Sequence, residues 1–335
     1  MATRRKFIIT GGLTLPMLMF PKSIFSIQNF TNMNIKNAYD IIIIGGSYAG
    51  LAAAMALGRS MRKVLIIDSG KPCNGPTPHS HNFLTHDGEK PVDIAQNAKN
   101  EVVQYDTVQF YEGLAVSGKK THDGFEVKTK SENTFRAKKL IFATGLKDIM
   151  PNIKGFAACW GKTIIHCPYC HGYEYRHKKT GILANGGAAM HYAELISNWT
   201  KDLTVFTNGK STLSEAETEK IKKNGIQIIE TKIDFIKHNE GNVQKIILED
   251  GSKVAVDAVY SSPEKQQHCD IPEKMGCQIE ESGLIEINNS QETTIEGIYA
   301  CGDNSGKRIL SVAVASGTMT GIHLNHQLIE EEFSN

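Results

Sequence analysis

The segment "YDIIIIGGSYAGLAAAMALGRSMRKVLIIDSG", residues 39–70, decides the architecture. Ile41–Ile44 is an unbroken apolar run of the kind expected of a parallel strand buried on both faces. A glycine turn follows, then a helix rich in alanine and leucine from Ala49 to about Arg59. Val64–Ile67 reads as a second buried strand, ending at Asp68. Strand, helix and strand within about 30 residues make a βαβ unit.

The turn Gly45-Gly46-Ser47-Tyr48-Ala49-Gly50 fits G-x-G-x-x-G with Ser47 at the second glycine. Gly45 permits the tight turn and Gly50 permits close packing of helix on strand. Serine is small enough to let the backbone approach a pyrophosphate. Asp68 stands at the strand end, where an acidic side chain binds an adenosine ribose hydroxyl. With strand, helix, second strand and terminal acid all in place, the segment predicts a dinucleotide site.

The chain has 335 residues, which suggests two domains with sizeable cores. Lysine and arginine (37) balance aspartate and glutamate (36), so charge gives no case for a nucleic-acid partner. Seven cysteines are too few for a disulfide scaffold, and the odd count leaves at least one thiol unpaired. Two of them, Cys167 and Cys170, sit in "IIHCPYCHGYEYR", residues 164–176. By spacing alone this is a redox disulfide, half of a zinc site, or a c-type haem attachment point, since Cys170-His171 completes that motif. Zinc would need two further ligands at suitable spacing, and there is no second C-x-x-C.

Two later segments narrow the reading. "KKLIFATGLKDIMP" is a strand ending in Ala143-Thr144-Gly145, and "IEGIYACGDNSG" is a strand ending in Gly302-Asp303, with a small-residue helix start after it. With these, the chain from Tyr39 to about Leu328 resembles the low-molecular-weight thioredoxin reductases, flavoproteins of the pyridine nucleotide–disulfide oxidoreductase family. The resemblance implies an α/β fold of two doubly wound, Rossmann-like domains. Residues 37–150 and 263–330 would form a discontinuous FAD domain, with a smaller nucleotide-binding-like domain, 151–262, inserted. FAD contacts are implied for Gly45, Gly46, Ser47, Gly50, Asp68, Ala143, Thr144, Gly145, Gly302 and Asp303. The cysteine pair falls where the family carries its redox C-x-x-C. This implies that Cys170 faces the flavin and Cys167 meets the substrate's sulfur. The family's acid–base aspartate after the second cysteine is replaced by His171, and an imidazole near neutrality suits proton exchange. Glu174 is a weaker second candidate. Cys301 reads as a small buried residue, and no metal site is expected. Family members of this size are usually homodimers.

In the inserted segment the second glycine fingerprint reads "GILANGGAAMHYAELI". Ala184 replaces the first glycine, while Gly186, Gly187 and Ala189 are the remaining candidates for nucleotide binding. The next strand, "LTVFTNGKSTLSE", offers only Lys210 as a cation and no arginine for a 2′-phosphate. NADPH is therefore poorly supported, and NAD(P)H use stays open. Residues 1–36 resemble a twin-arginine export signal or membrane anchor plus linker, with Arg4-Arg5 before a short apolar run. An exported protein, periplasmic or anchored, would meet little free NADPH; a cytoplasmic location is the alternative. The expectation is an FAD-dependent thiol–disulfide oxidoreductase, with dithiol oxidation slightly favoured, acting on a small dithiol or disulfide or a thioredoxin-like protein. Its rivals are an NAD(P)H-dependent thioredoxin reductase and a non-catalytic flavin redox sensor.

Overall fold

The isoleucine run lies near the centre of a seven-stranded sheet. The structure is a computed structural model and describes residues 38–334; residues 1–36, expected to be an export signal or anchor, lie outside the described residues. In that sheet Val108–Glu112, Val64–Asp68, Ala38–Ile44 and Thr134–Phe142 run parallel in this spatial order. The long Thr134–Phe142 strand serves two neighbours on its far side. Its first half pairs antiparallel with Gly124–Thr129, and its last three residues pair parallel with Ile298–Ala300. Because side chains alternate across a strand, Ile41 and Ile43 enter one core while Ile42 and Ile44 enter another. The helices Tyr48–Arg59 and Leu310–Phe333 cover the first face.

A second sheet has five strands, all parallel, in the order Gln227–Ile229, Leu203–Phe206, Thr180–Leu183, Ala258–Ser261 and Ile164–Ile165. It too is buried on both faces. The helices Gly186–Ile196 and Glu215–Lys223 pack on one side. On the other lies a three-stranded antiparallel sheet, Ile233–Asn239, Asn242–Leu248 and Lys253–Ala255. Between the sheets the chain passes through two short paired strands, Leu146–Ile149 and Glu264–Gln267. The largely parallel first sheet and the all-parallel second match the expected fold class, and every strand of the second comes from the segment between these connectors.

The glycines of the first turn are fixed by contact. A Cβ on Gly45, whose φ is +107°, would lie 2.2 Å from the Ala143 carbonyl oxygen, and one on Gly50 would lie 1.9 Å from that of Gly45. The Leu310–Phe333 helix crosses the first helix just as closely: a Cβ on Gly317 would sit 2.0 Å from the Ala49 carbonyl oxygen. Neither backbone can shift without unseating the turn. Gly317→Ala is therefore expected to cost at least about 1–3 kcal/mol of stability, the usual range for overpacking. Gly306→Ala, whose new carbon meets its nearest atom at 3.4 Å, should be close to neutral. Urea unfolding of both variants measures the difference, and equal stability would refute the steric account.

Candidate active site

At the C-terminal ends of the parallel strands of the first sheet lies a cavity of about 790 Å³, within the usual range for cofactor sites. Gly45, Gly46, Ser47, Asp68, Ala143, Thr144, Gly145, Gly302 and Asp303 all line it. Gly50 does not; it packs beneath the turn. Ser47 caps the first helix without a side-chain hydrogen bond, so its hydroxyl does not cover the helix's N-terminal N–H groups. The Asp68 carboxylate accepts the Gly46 N–H at 2.9 Å and the Gly70 N–H at 3.0 Å, which fixes it at the cavity wall. An open helix terminus, a backbone without side chains and an oriented acid suit the pyrophosphate and ribose of a dinucleotide.

The cysteine pair reaches the same cavity from the second sheet. Pro168–His171 forms one helical turn with Cys167 as its N-cap, and Pro168 takes the first helical position, where no N–H is needed. Cys167 and Cys170 are joined as a disulfide, and the Cys170 N–H points at Cys167 Sγ at 3.1 Å. Cys170 and His171 line the cavity, whereas Cys167 is not among its lining residues. Cys301 is fully buried in the first core, where burial pushes its thiol up to about 12, so it stays protonated.

Burial lowers the His171 pKa to about 4, with the charge of His81 as the second cause. This corrects the expectation of an imidazole titrating near neutrality: His171 is a neutral acceptor at physiological pH. His166, on the other side of the pair, is also lowered to about 4, by burial and then by Arg308. Glu174 does not line the cavity and lies 3.7 Å from His81 Nε2.

Several cavity residues were not singled out in the sequence. Arg308 makes a bidentate pair with Asp148 at 2.6 and 3.1 Å, with both side chains largely buried. Its Nε lies 3.6 Å from Asp303. Burial raises the Asp303 carboxyl, and Arg308 opposes that rise. Cys73 Sγ is 3.8 Å from Asp303, and Cys269 also reaches the wall. The available signal was the dense stretch "KPCNGPTPHSHN", residues 71–82, where reactive residue types crowd a loop rich in turn formers.

The second glycine turn differs from the first. Ala184 takes no positive φ, and the left-handed residue is Gly186 at +54°. The Asn185 side chain caps the helix, accepting the Gly186 N–H and the Thr212 N–H, each at 2.8 Å, while its amide donates to the Lys210 carbonyl at 2.9 Å. Gly187 has open space around it and Ala189 is fully buried. None of Gly186, Gly187 and Ala189 lines the large cavity or the smaller one, of about 360 Å³, beside the connector strands.

The model of the pyridine nucleotide-disulphide oxidoreductase family matches residues 39–318. The chain belongs to this family. It is 32% identical over 313 residues to the thioredoxin reductase tcpT of Claviceps purpurea, covering 89% of this chain and 97% of that one. It is 31% identical over 310 residues to the thioredoxin reductase sirT of Leptosphaeria maculans, covering 87% and 94%. Among solved structures, the oxidoreductase from Agrobacterium tumefaciens superposes with a TM-score of 0.82 at 33% identity, covering 88% of this chain and 99% of that one. This oxidoreductase therefore acts on sulfur groups, in a thioredoxin-reductase-like family of FAD proteins whose usual partner is NAD(P)H.

The buried histidines give the enzyme a pH-dependent stability. As pH falls below the ordinary value of 6.5, the unfolded chain binds protons that folded His166 and His171 refuse until about 4. Their contribution is thus fully present above 6.5 and lost as pH falls across that window. The urea midpoint should fall between pH 6.5 and 4, and His166→Gln should flatten the fall. A midpoint independent of pH in both proteins would contradict this.

Proposed function

We propose that this protein is an FAD-dependent thiol–disulfide oxidoreductase that runs as a dithiol oxidase. In this reading residues 37–150 and 263–330 hold FAD, and the inserted 151–262 domain presents the Cys167–Cys170 disulfide to it. The observation that carries the direction is the contrast between the two glycine turns. The first opens onto the large cavity, whereas the second is capped by Asn185 and tied to the 210–212 loop, and the strand that follows it carries no arginine for a 2′-phosphate. An export route for residues 1–36, away from cytoplasmic NADPH, agrees with that direction.

A substrate thiolate would attack Cys167, the disulfide would open, and Cys170 would leave as a thiolate at the cavity wall. The substrate's second thiol would then displace Cys167, so the substrate gains a disulfide and the pair becomes a dithiol. Neutral His171, adjacent to Cys170, takes and returns the proton in these exchanges. Bound FAD supplies the two-electron acceptor that restores the disulfide. Cys170 on the cavity side and Cys167 off it support this division of roles. The second reading is an NAD(P)H-dependent thioredoxin reductase, favoured by the names of the two fungal relatives.

The decisive experiment is anaerobic flavin reduction by a small dithiol, by NADH and by NADPH, followed by absorbance. Dithiol alone should bleach the flavin, air should restore it, and Cys170→Ser should abolish bleaching. Fast bleaching by a pyridine nucleotide would establish the reductase instead, and no bleaching by any of them would favour the non-catalytic sensor.

The partner in assembly is a second copy. On the Leu310–Phe333 helix, Val312, Met319, Ile322, Ile329 and Phe333 are exposed, at spacings of three, four and seven residues that place them along one stripe. An apolar stripe of this kind marks an interaction surface. Ile322→Glu should convert the dimer to monomer in light scattering, and an unchanged mass would remove this face from the interface.

A further inference from the structure

Between the Val64–Asp68 strand and the Pro91–Val102 helix the chain passes over the cavity. Lys71, Pro72, Cys73, Asn74, Pro76 and Thr77 all line it. Four of these six, Lys71, Pro72, Cys73 and Pro76, are also exposed. The segment is therefore a single layer of chain, a strap with the cavity on one side and solvent on the other. Two turns stiffen it: Gly75 N–H donates to the Pro72 carbonyl at 3.2 Å, and Thr77 N–H to the Asn74 carbonyl at 3.0 Å.

Three contacts tie the strap to its surroundings. Cys73 Sγ faces Asp303 Oδ2 at 3.8 Å. Gly161, of the inserted segment, comes so close that a Cβ on it would lie 3.0 Å from the Cβ of Pro76. The third contact runs through a tyrosine of the first glycine turn. Tyr48 Oη accepts from Asn74 Nδ2 at 3.3 Å and donates to the Pro91 carbonyl at 3.1 Å. Tyr48 begins the Tyr48–Arg59 helix, lines the cavity and is 8% exposed. A hydroxyl so buried costs free energy unless its partners are supplied, and here both come from the chain that covers the cavity. One oxygen thus holds that chain near its start, at Asn74, and at its end, where the next helix begins.

We propose that Tyr48 is a positioning residue for the cofactor: its hydroxyl clasps the 71–77 strap over the cavity through Asn74 and Pro91, and bound FAD leaves only when this clasp opens. The proposal rests on the placement of FAD in this cavity given above and holds for either direction of electron flow. Because Pro76 meets Gly161, six residues before Cys167, the clasped strap is also a surface against which the inserted segment packs.

The test is the rate at which FAD leaves the holoenzyme, followed by free-flavin fluorescence after dilution. Tyr48→Phe keeps the ring and removes both hydrogen bonds, and release should quicken about tenfold, the effect of one or two hydrogen bonds of ordinary net strength. Asn74→Ala removes one arm of the same clasp and should quicken release by a smaller factor. The double variant should release FAD at the Tyr48→Phe rate, because the Asn74 arm is already lost there. A Tyr48→Phe rate equal to wild type, or factors that multiply in the double variant, overturns the proposal. Should Tyr48→Phe fail to fold, Asn74→Ala decides, and unchanged release overturns it. Hydrogen exchange scores the strap apart from the cofactor: amides of a peptide spanning 71–77 should exchange faster in Tyr48→Phe, and equal exchange overturns the clasp. If the wild-type protein holds no FAD, the cofactor placement fails while exchange still decides whether Tyr48 holds the strap.

Discussion

Where the first glycine turn meets the end of the Thr134–Phe142 strand, a single additional carbon has nowhere to go. The backbone of Gly45 lies against the Ala143 carbonyl, Gly50 lies against Gly45, and Gly317 of the long C-terminal helix lies against Ala49. These contacts lock strand, turn and two helices into one arrangement with the N-terminus of the first helix facing open space. The cavity exists because that terminus is not filled by the protein's own side chains. The second sheet repeats the pattern without the consequence, because Asn185 folds back over its helix and binds the loop that follows the next strand.

The site set on this frame brings charge into a poorly solvated space. Arg308 is held by Asp148 and lies near Asp303, so one buried cation serves two carboxylates. Removing either partner of a buried pair leaves an uncompensated charge, which costs far more than a surface pair contributes. Near the disulfide, the same lack of water drives His166 and His171 to their neutral forms. Burial thus sets the protonation of the histidines here: it penalises their charged form and keeps both neutral.

The 39–70 segment was legible because its physics is local. An isoleucine run, a turn of residues with little or no side chain and a terminal acid each act within a few positions of one another, and the strand ends at Ala143-Thr144-Gly145 and Gly302-Asp303 were readable for the same reason. Asp148, Arg308, His81 and His166 were not. Asp148 and Arg308 meet across 160 positions, and His81 meets Glu174 across more than ninety. Nothing in the sequence near either member indicates its partner. The protonation of His171 was misjudged for a related reason, since burial and a neighbouring charge, not residue type, set it.

The sequence by itself determined that this chain builds two nucleotide-type sheets, that the first turn follows the glycine fingerprint and that the second departs from it. Periodicity, the absence of Cβ atoms and the spacing of two cysteines are properties of neighbours along the chain, so they survive without coordinates. Only the tertiary structure decided that Cys170 and His171, not Cys167, share the cavity wall, and which distant carboxylates and histidines surround them. Those facts depend on how two sheets, joined by the Leu146–Ile149 and Glu264–Gln267 strands, are brought together, and electrostatic interaction depends on distance in space, not position in the chain.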